Sequence, residues 1–395
     1  MRQISRCIAS LAPLLAWCGL PALANDPQIK ALCEAPALRD ALLAQQEGQR
    51  RRIVEIDLAE ACAIITMPRD PVHDAADPRP DASHSLSVLD ARFSEDGRTI
   101  VSASRDETVR IWDASTGLLQ RAIRAGAPFQ VQGLSREGLV RSAVLLNNGS
   151  TVAAGPEGAP VRLFDVTTGQ AGATIAVTRR AQDHPFGAAL ERTVEGLLAV
   201  GGQGEEVLLV DAASGNVRHR LSGHSPDNPS RLAVARDADL MVTSTFGGGQ
   251  PVVRLWRPSS GAELTEVPVP GSSRVSTLAL TRDGKGLAVE IGGTVHLYDL
   301  TAQRYMRSIE VHPVFNLMAM TFTADGKGLI TCRRHPVLWD VETGHLIRHF
   351  GPFTELCQSV DVSPDGLYAV TTASDVSEVR IWEIATGRFH RRLGR

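Results

Sequence analysis

From about residue 84 onward one pattern recurs seven times. Each unit holds a short apolar strand, a turn of the Asp-Gly or Asn-Gly kind and a second apolar strand. A loop follows, then an alternating third strand that ends in an acid, a Thr-Gly-like turn and a fourth strand. The third strands read VRIWD (109–113), VRLFD (161–165), VLLVD (207–211), VRLWR (253–257), VHLYD (295–299), VLWD (337–340) and VRIWE (379–383). Their last apolar residues, Trp112, Phe164, Val210, Trp256, Tyr298, Trp339 and Trp382, are spaced 52, 46, 46, 42, 41 and 43 apart. Period-two alternation with β-branched residues makes strands. Asp96-Gly97, Asn148-Gly149, Asp283-Gly284, Asp325-Gly326 and Asp365-Gly366 suit tight hairpins, because both residue types tolerate positive φ.

A four-stranded sheet of this size cannot bury its own faces. Seven of them stacked radially bury both faces and leave only short edges. A unit of about 45 residues suits a four-stranded blade. The expected fold is all-β: a seven-bladed β-propeller of four-stranded antiparallel blades over residues 84–395, preceded by a small, partly helical N-terminal segment. The final run GRFHRRLGR (387–395) is expected to supply the fourth strand of blade seven, so the ring closes locally. The alternative is that IVEID (53–57) pairs at that open edge.

The repeats resemble the WD-repeat β-propeller family over about four fifths of the chain, and blade one is the nearest copy. In that family a His, a Ser or Thr, an Asp and a Trp form a buried hydrogen-bonded set. Here His84 lies nine residues before Phe93, and Ser102, Asp106 and Trp112 fall at the matching offsets in IVSASRDETVRIW. Blade seven keeps Thr371, Asp375 and Trp382 without the His. Blade four has His224 and Trp256 without the Asp, and blade five has neither His nor Asp.

The chain opens with a basic n-region (Arg2, Arg6), an apolar stretch over 7–20 and the small-x-small site Ala22-Leu23-Ala24. This reads as a secretory signal peptide cleaved after Ala24, too short to span a bilayer core of ~30 Å. Loss of its two Arg takes the formal charge from −3 to −5. Export to a periplasm or medium permits disulfides. Residues 25–68 read as a partly helical segment and 69–83 as a Pro/Asp/Ala-rich linker. Cys33 and Cys62 bracket that segment, and a disulfide between them would stabilise a piece too small to hold a core alone. The alternative is two free thiols. Cys332 and Cys357 fall on neighbouring blades, so a bridge between them is the alternative, but the preferred reading is free buried thiols acting as small hydrophobes.

Balanced charge (41 Lys+Arg against 44 Asp+Glu) and 5% aromatics argue against nucleic-acid binding. No zinc-type Cys/His cluster, nucleophile elbow or EF-hand string is present, and neither a metal nor another cofactor is expected. His345 and His349 are four apart but on a predicted strand, where that spacing spans about 13 Å. GGQG (201–204) and FGGGQ (246–250) lack the following helix that a phosphate loop needs and read as hairpin loops. The basic run 388–395 reads as a charged edge strand.

The resemblance also implies a ligand face, met by residues at the start of each first strand and in the loop before the structural Asp. Transferred by offset, these positions are Ser87, Leu89, Arg105, Leu139, Arg141, Phe186, Ala188, Asn228, Ser230, Arg274, Ser276, Asn316, Met318, Arg334, Leu356, Gln358 and Ser374. Four are Arg and none is acidic, which suggests a cationic mouth. Arg105, Arg141, Arg274, Arg334, Asn316, Phe186, Ser87 and Gln358 are the leading candidates. Arg suits carboxylate or phosphate groups through paired donors. The expected function is an exported, non-enzymatic scaffold that captures a protein, an acidic peptide or an anionic envelope component. The alternative is a propeller hydrolase or lactonase working in the central funnel, which would need convergent carboxylates or a metal there.

Overall fold

The computed structural model describes Cys33, Cys62 and residues 82–394, except 127–128, 132–133, 137, 158, 176–188, 202–205, 226–230, 312–316, 352–354 and 375; over 129–131 and 134–136 it describes backbone only. Seven four-stranded antiparallel sheets follow one another along the chain, each with its strands in sequence order. Blade one is Val88–Phe93, Thr99–Ser104, Thr108–Asp113 and Leu119–Arg124. Blade seven is Cys357–Val362, Tyr368–Ala373, Val379–Glu383 and Phe389–Arg392. The first strands of neighbouring blades touch all the way round, including blade seven against blade one. They therefore line the axis. The first connector also carries a small hairpin, Phe129–Val131 with Leu134–Arg136.

Burial along the strands explains their composition. The second strand of blade one, TIVSAS, is buried at five of its six positions, because blades cover it on both faces. In TVRIWD, Val109, Ile111 and Trp112 are all buried although Trp112 points opposite to Ile111. The fourth strand, LQRAIR, lies on the rim and buries only Ile123. Apolar clusters span each pair of neighbours. The one at the seam joins Val370, Val379, Ile381 and Leu393 of blade seven to Val88, Ala91, Phe93, Ile100 and Trp112 of blade one.

The ring closes locally, as expected. Phe389–Arg392 pairs with Val379–Glu383 as the outermost strand of blade seven. The seam is then tied by Ala82 N–H donating to the Gly394 carbonyl (2.8 Å) and Gly394 N–H to that of Gly117 (3.2 Å). Gly394 has φ +91°, and a Cβ there would lie 2.8 Å from the Ser83 nitrogen, so only glycine fits. The alternative partner strand, 53–57, lies outside the described residues.

The basic run 388–395 is structural. Arg391 donates to the Ser115 carbonyl of blade one, and Arg392 pairs with Glu378 at 2.6 Å. The same outward-strand clasp recurs as Arg121 to Thr167, His219 to Ser259 and Arg348 to Ala385, each onto the turn of the next blade. FGGGQ is a hairpin turn between Met241–Gly247 and Gln250–Arg257, with Gly248 and Gly249 both at positive φ. In blade five the turn after the third strand places its left-handed residue at Gln303 (φ 51°).

Cys33 and Cys62 form a disulfide (Cα–Cα 5.2 Å), and both residues are helical. Cys332 and Cys357 are also bonded (Cα–Cα 5.4 Å), which corrects the expectation of free thiols. The reason is positional. Cys332 ends the second strand of blade six, and Cys357 begins the first strand of blade seven. The blade stagger brings these two strand ends to the same height at the upper rim.

Candidate functional site

Blade one holds the complete hydrogen-bonded set. His84 Nδ1 lies 2.9 Å from Asp106 Oδ2, His84 Nε2 lies 2.8 Å from Ser102 Oγ, and Trp112 Nε1 donates to Ser102 Oγ at 2.8 Å. One protonation pattern satisfies every group: Nδ1–H donates to the carboxylate, and the serine hydroxyl accepts from Trp112 and donates to Nε2. Burial, opposed by Asp106, lowers the His84 pKa and keeps the ring neutral. Burial works to raise the Asp106 carboxyl, but bonds from His84, Thr108 and the Ser85 N–H hold it well below the usual carboxylate range.

The other blades abbreviate this set in graded steps. In blade four His224 Nε2 meets Thr243 Oγ1 at 2.9 Å, Trp256 Nε1 donates to the same oxygen at 2.8 Å, and the Leu221 carbonyl replaces the missing Asp at 3.1 Å from Nδ1. Among the described residues, blades six and seven show the Trp–Thr bond of the set, Trp339 to Thr331 and Trp382 to Thr371, each at 2.8 Å. Asp375 lies outside the described residues. In blade five Val289 takes the hydroxyl's place, and the buried Tyr298 hydroxyl has no partner among the described residues. Burial first, and then Tyr305, push that phenol up to about 12. These sets tie the loops to the strands of their blades.

The loops and first strands surround an axial channel of about 420 Å³. Leu89, Arg141, Ser276, Met318 and Gln358 all line its upper part, as the transferred offsets required. Ser87 and Arg105 sit at the upper rim of blade one, where the Arg105 N–H donates to the Ser87 carbonyl at 3.0 Å. Ser374 occupies the matching place in blade seven, donating to the Leu356 carbonyl at 2.7 Å. Phe186, Ala188, Asn228, Ser230 and Asn316 lie outside the described residues.

The expected arginine mouth is only partly realised. Arg105 is exposed, and its guanidinium makes no ion pair with a described residue. Arg274 is exposed and lies 5.7 Å above the Phe246 ring of the neighbouring blade, a cation–π contact. Arg334 is half-buried beside His335. Arg141 is paired with buried Glu157, 3.0 Å from its Oε2. Glu157 follows the second strand of blade two at the position Arg105 holds in blade one, so the mouth does contain an acid, contrary to the sequence reading. The offset rule missed it because blade two was aligned only at its first strand.

It also missed Arg231. Strand pairing puts Arg231 opposite Ser244, on the blade-four level that Asp90 holds in blade one, and its side chain lines the channel. Among the described residues it makes no hydrogen bond or ion pair. Its side chain is exposed to the channel. Partial desolvation there, and then the like charge of Arg141, lower its pKa, while Glu290 opposes them.

Below this level the channel is crossed by ion pairs. Arg92 of blade one reaches Glu191 of blade three at 2.5 Å and, one level higher on its own strand, Asp90 at 3.0 Å. Arg236 of blade four reaches Asp361 of blade seven at 2.5 Å, and Asp361 also accepts the Phe93 N–H at 2.9 Å. Every carboxylate lining the channel at this level is thus matched with an arginine. Among the described residues no group of three or more His, Cys, Asp or Glu could hold a metal. His349 faces His335 (2.6 Å between ring nitrogens), not His345. The hydrolase alternative draws no support from this geometry.

Residues 82–113, which span the first three strands of blade one, match the WD domain, G-beta repeat family. Pre-mRNA-processing factor 19 homolog 2 of Arabidopsis thaliana is 26% identical over 194 residues, covering 48% of this chain and 36% of the relative. Nuclear distribution protein nudF of Emericella nidulans is 37% identical over 67 residues, 17% of this chain and 15% of the relative. COMPASS component SWD3 of Saccharomyces cerevisiae is 29% identical over 86 residues, 22% of this chain and 24% of the relative. The chain spans no more than 36% of the length of any of these relatives. With one blade carrying the full His–Ser–Asp–Trp set and three carrying shortened versions inside a closed ring of seven, the chain folds as a seven-bladed β-propeller whose first blade matches the WD domain, G-beta repeat family.

Proposed function

We propose that this protein is an exported, non-enzymatic scaffold whose upper face captures a partner through acidic groups, on a protein, a peptide or an anionic envelope component. The carrying observation is the exposed pair Arg105 and Arg274. Neither guanidinium has a carboxylate partner among the described residues, and both sit on loops held by a rigid ring. Exposed Leu86, Met318 and Leu356 at the same rim add apolar contact beside the charges. A role in assembly is consistent with a relative named as a component of COMPASS. Export rests on the leader over residues 1–24, and two disulfides suit an oxidising compartment. Among the described residues no helix is long and apolar enough to cross a membrane.

The test is crosslinked pull-down from intact envelopes with wild type and the Arg105→Glu/Arg274→Glu double variant. Capture should fall at least tenfold in the variant, and unchanged capture discards the reading. N-terminal sequencing of the secreted fraction should begin at Asn25; retention of residues 1–24 removes the export part alone.

A further inference from the structure

The loops that lead into the first strands are tied down differently from blade to blade. In blade one His84, nine residues before Phe93 at the end of the first strand, bonds Ser102 and Asp106. In blade five the residue nine before Leu280 is Gly271, and Val289 stands where the hydroxyl would be, so this loop has no such tie. It meets blade four through Arg274 instead. The guanidinium carbon of Arg274 lies 5.7 Å from the centroid of the Phe246 ring, at the end of the long Met241–Gly247 strand. The segments that form this corner, 243–252, 262–275 and 290–294, are all among the described residues.

Stacking fixes the guanidinium by its face and leaves its N–H edge for a ligand. Among the described residues that edge has no partner, and Arg274 is exposed. The acids of the same segments are engaged elsewhere. Glu263 and Glu266 face Arg254 at 3.5 and 3.0 Å, and buried Glu290 accepts the Gly293 N–H at 2.6 Å. The corner therefore offers a single cation, which suits a carboxylate on the planar fork of Arg better than a dianion. Water screens one exposed ion pair, so a ligand held here needs neighbouring contacts as well. Two are present: the half-buried Phe246 ring and the bare, exposed backbone of Gly247–Gly249. Gly248 and Gly249 have the positive φ that the turn requires, but Gly247 does not, and a Cβ there would meet no described residue. A strand glycine that the fold does not require costs stability and suits a close approach by another backbone.

We infer that the upper corner between blades four and five receives an extended acidic peptide segment, with an Asp or Glu carboxylate on the edge of Arg274, an apolar neighbour against Phe246 and the peptide backbone beside the glycine tip. Phe246 is a positioning residue: it holds the guanidinium flat, so that its edge faces the incoming carboxylate. This deepens the proposed capture of acidic groups and rests on the upper face being the binding face. It commits to a peptide, where that proposal also admits an envelope polymer, and to one of the two rim arginines as the specific contact.

The experiment is a peptide-observed NMR titration of the mature protein with acetyl-Ser-Val-Glu-Val-Ser-amide and with its Gln counterpart. The Glu peptide should bind wild type, and the Gln peptide should bind at least fivefold more weakly. Arg274→Gln should weaken the Glu peptide at least fivefold, and Arg274→Lys, which keeps the charge without the fork, should recover only part of the loss. Phe246→Leu should weaken it also, while Phe246→Tyr keeps it. Gly247→Val should block the peptide with a melting temperature no lower than that of wild type, because a β-branched residue suits a strand. Arg274 is exposed, so its variants should melt with wild type and keep the test readable if a Phe246 variant unfolds. No binding of the Glu peptide, equal binding of the Gln peptide, or undiminished binding by Arg274→Gln overturns the inference. Inorganic phosphate that binds as tightly as the Glu peptide overturns the assignment to a carboxylate. If Arg105→Glu/Arg274→Glu loses envelope capture and the peptide does not bind wild type, the corner fails and the proposed function stands. If the peptide binds as stated and envelope capture is unchanged in that variant, the proposed function fails and the corner stands.

Discussion

The two ends of the axial channel are built from the same strands yet treat charge in opposite ways. At the lower end Arg92 meets Glu191 of blade three, and Arg236 meets Asp361 of blade seven, so each of these ions has a partner on another blade. At the upper end Arg231 has none among the described residues, Arg141 is spent on Glu157, and Arg105 points into water. Breaking a buried pair by removing one member costs far more than losing an exposed charge. The lower level therefore holds blades together across the axis. The upper level leaves its cations available, as a binding surface on a rigid frame does.

The largest expected effect breaks the lower end. Asp361→Ala removes the partner of Arg236 and the acceptor of the Phe93 N–H across the seam. It should lower stability by about 2 kcal/mol in urea unfolding, the cost of stranding a half-buried charge and a buried N–H. Arg105→Ala, an exposed upper-rim cation, should change stability by less than about 0.5 kcal/mol. Equal effects of the two would erase the contrast.

Next comes the covalent tie that the upper end has in place of ion pairs. Cys332–Cys357 joins blades six and seven across a 25-residue separation. The Cys332→Ser/Cys357→Ser variant should lose about 3 kcal/mol, and reductant should lower the melting temperature of wild type but not of the variant in so far as this bond is concerned. Because Cys33–Cys62 also responds to reductant, the comparison is made in a Cys33→Ser/Cys62→Ser background. A variant as stable as its parent would show that the apolar packing around Phe350, Val360 and Trp382 holds this interface unaided.

Most of the ring was legible from residues 84 onward because its signals are local and repeated. Third strands alternate, Asp-Gly turns close hairpins, and the Asp-x-x-Thr-Gly turn repeats its own bonds, as in Asp113 Oδ1 accepting from Thr116 N at 2.8 Å. His84, Ser102, Asp106 and Trp112 were legible for the same reason: their spacing within one blade is fixed by strand length. What was hidden involves two blades. The Cys332–Cys357 bond, the Arg391 clasp on Ser115 and the Arg92–Glu191 bridge depend on blade stagger, which no single repeat encodes. Arg231 was missed for a subtler reason. It lies one residue beyond the transferred offset, on the level of Asp90, and only strand pairing shows that it faces the lumen. Glu157 was missed because its loop aligns with Arg105 only once the hairpin register is known.

A smaller effect sharpens the comparison. Arg231→Met removes an exposed cation that lines the channel near Arg141. The variant should stay within about 0.5 kcal/mol of wild type, as expected for an exposed charge without a partner among the described residues. Thermal unfolding reads this, and a larger loss of stability would mean that Arg231 belongs with the structural ions of the lower end.

The smallest effect concerns Glu290, which is fully buried and accepts the Gly293 N–H at 2.6 Å. Burial raises its pKa above the ordinary 4.5, partly offset by Gly293, Ser276, the Leu317 backbone and Arg231. An acid that holds its proton more tightly when folded makes stability fall as pH rises through the window above 4.5, because the unfolded chain releases that proton first. Glu290→Gln should flatten this fall relative to wild type. Asp90, also raised chiefly by burial, leaves a residual slope in both proteins. Urea unfolding of wild type and Glu290→Gln across pH 4–7 reads the difference, and equal slopes would place the responding acid elsewhere.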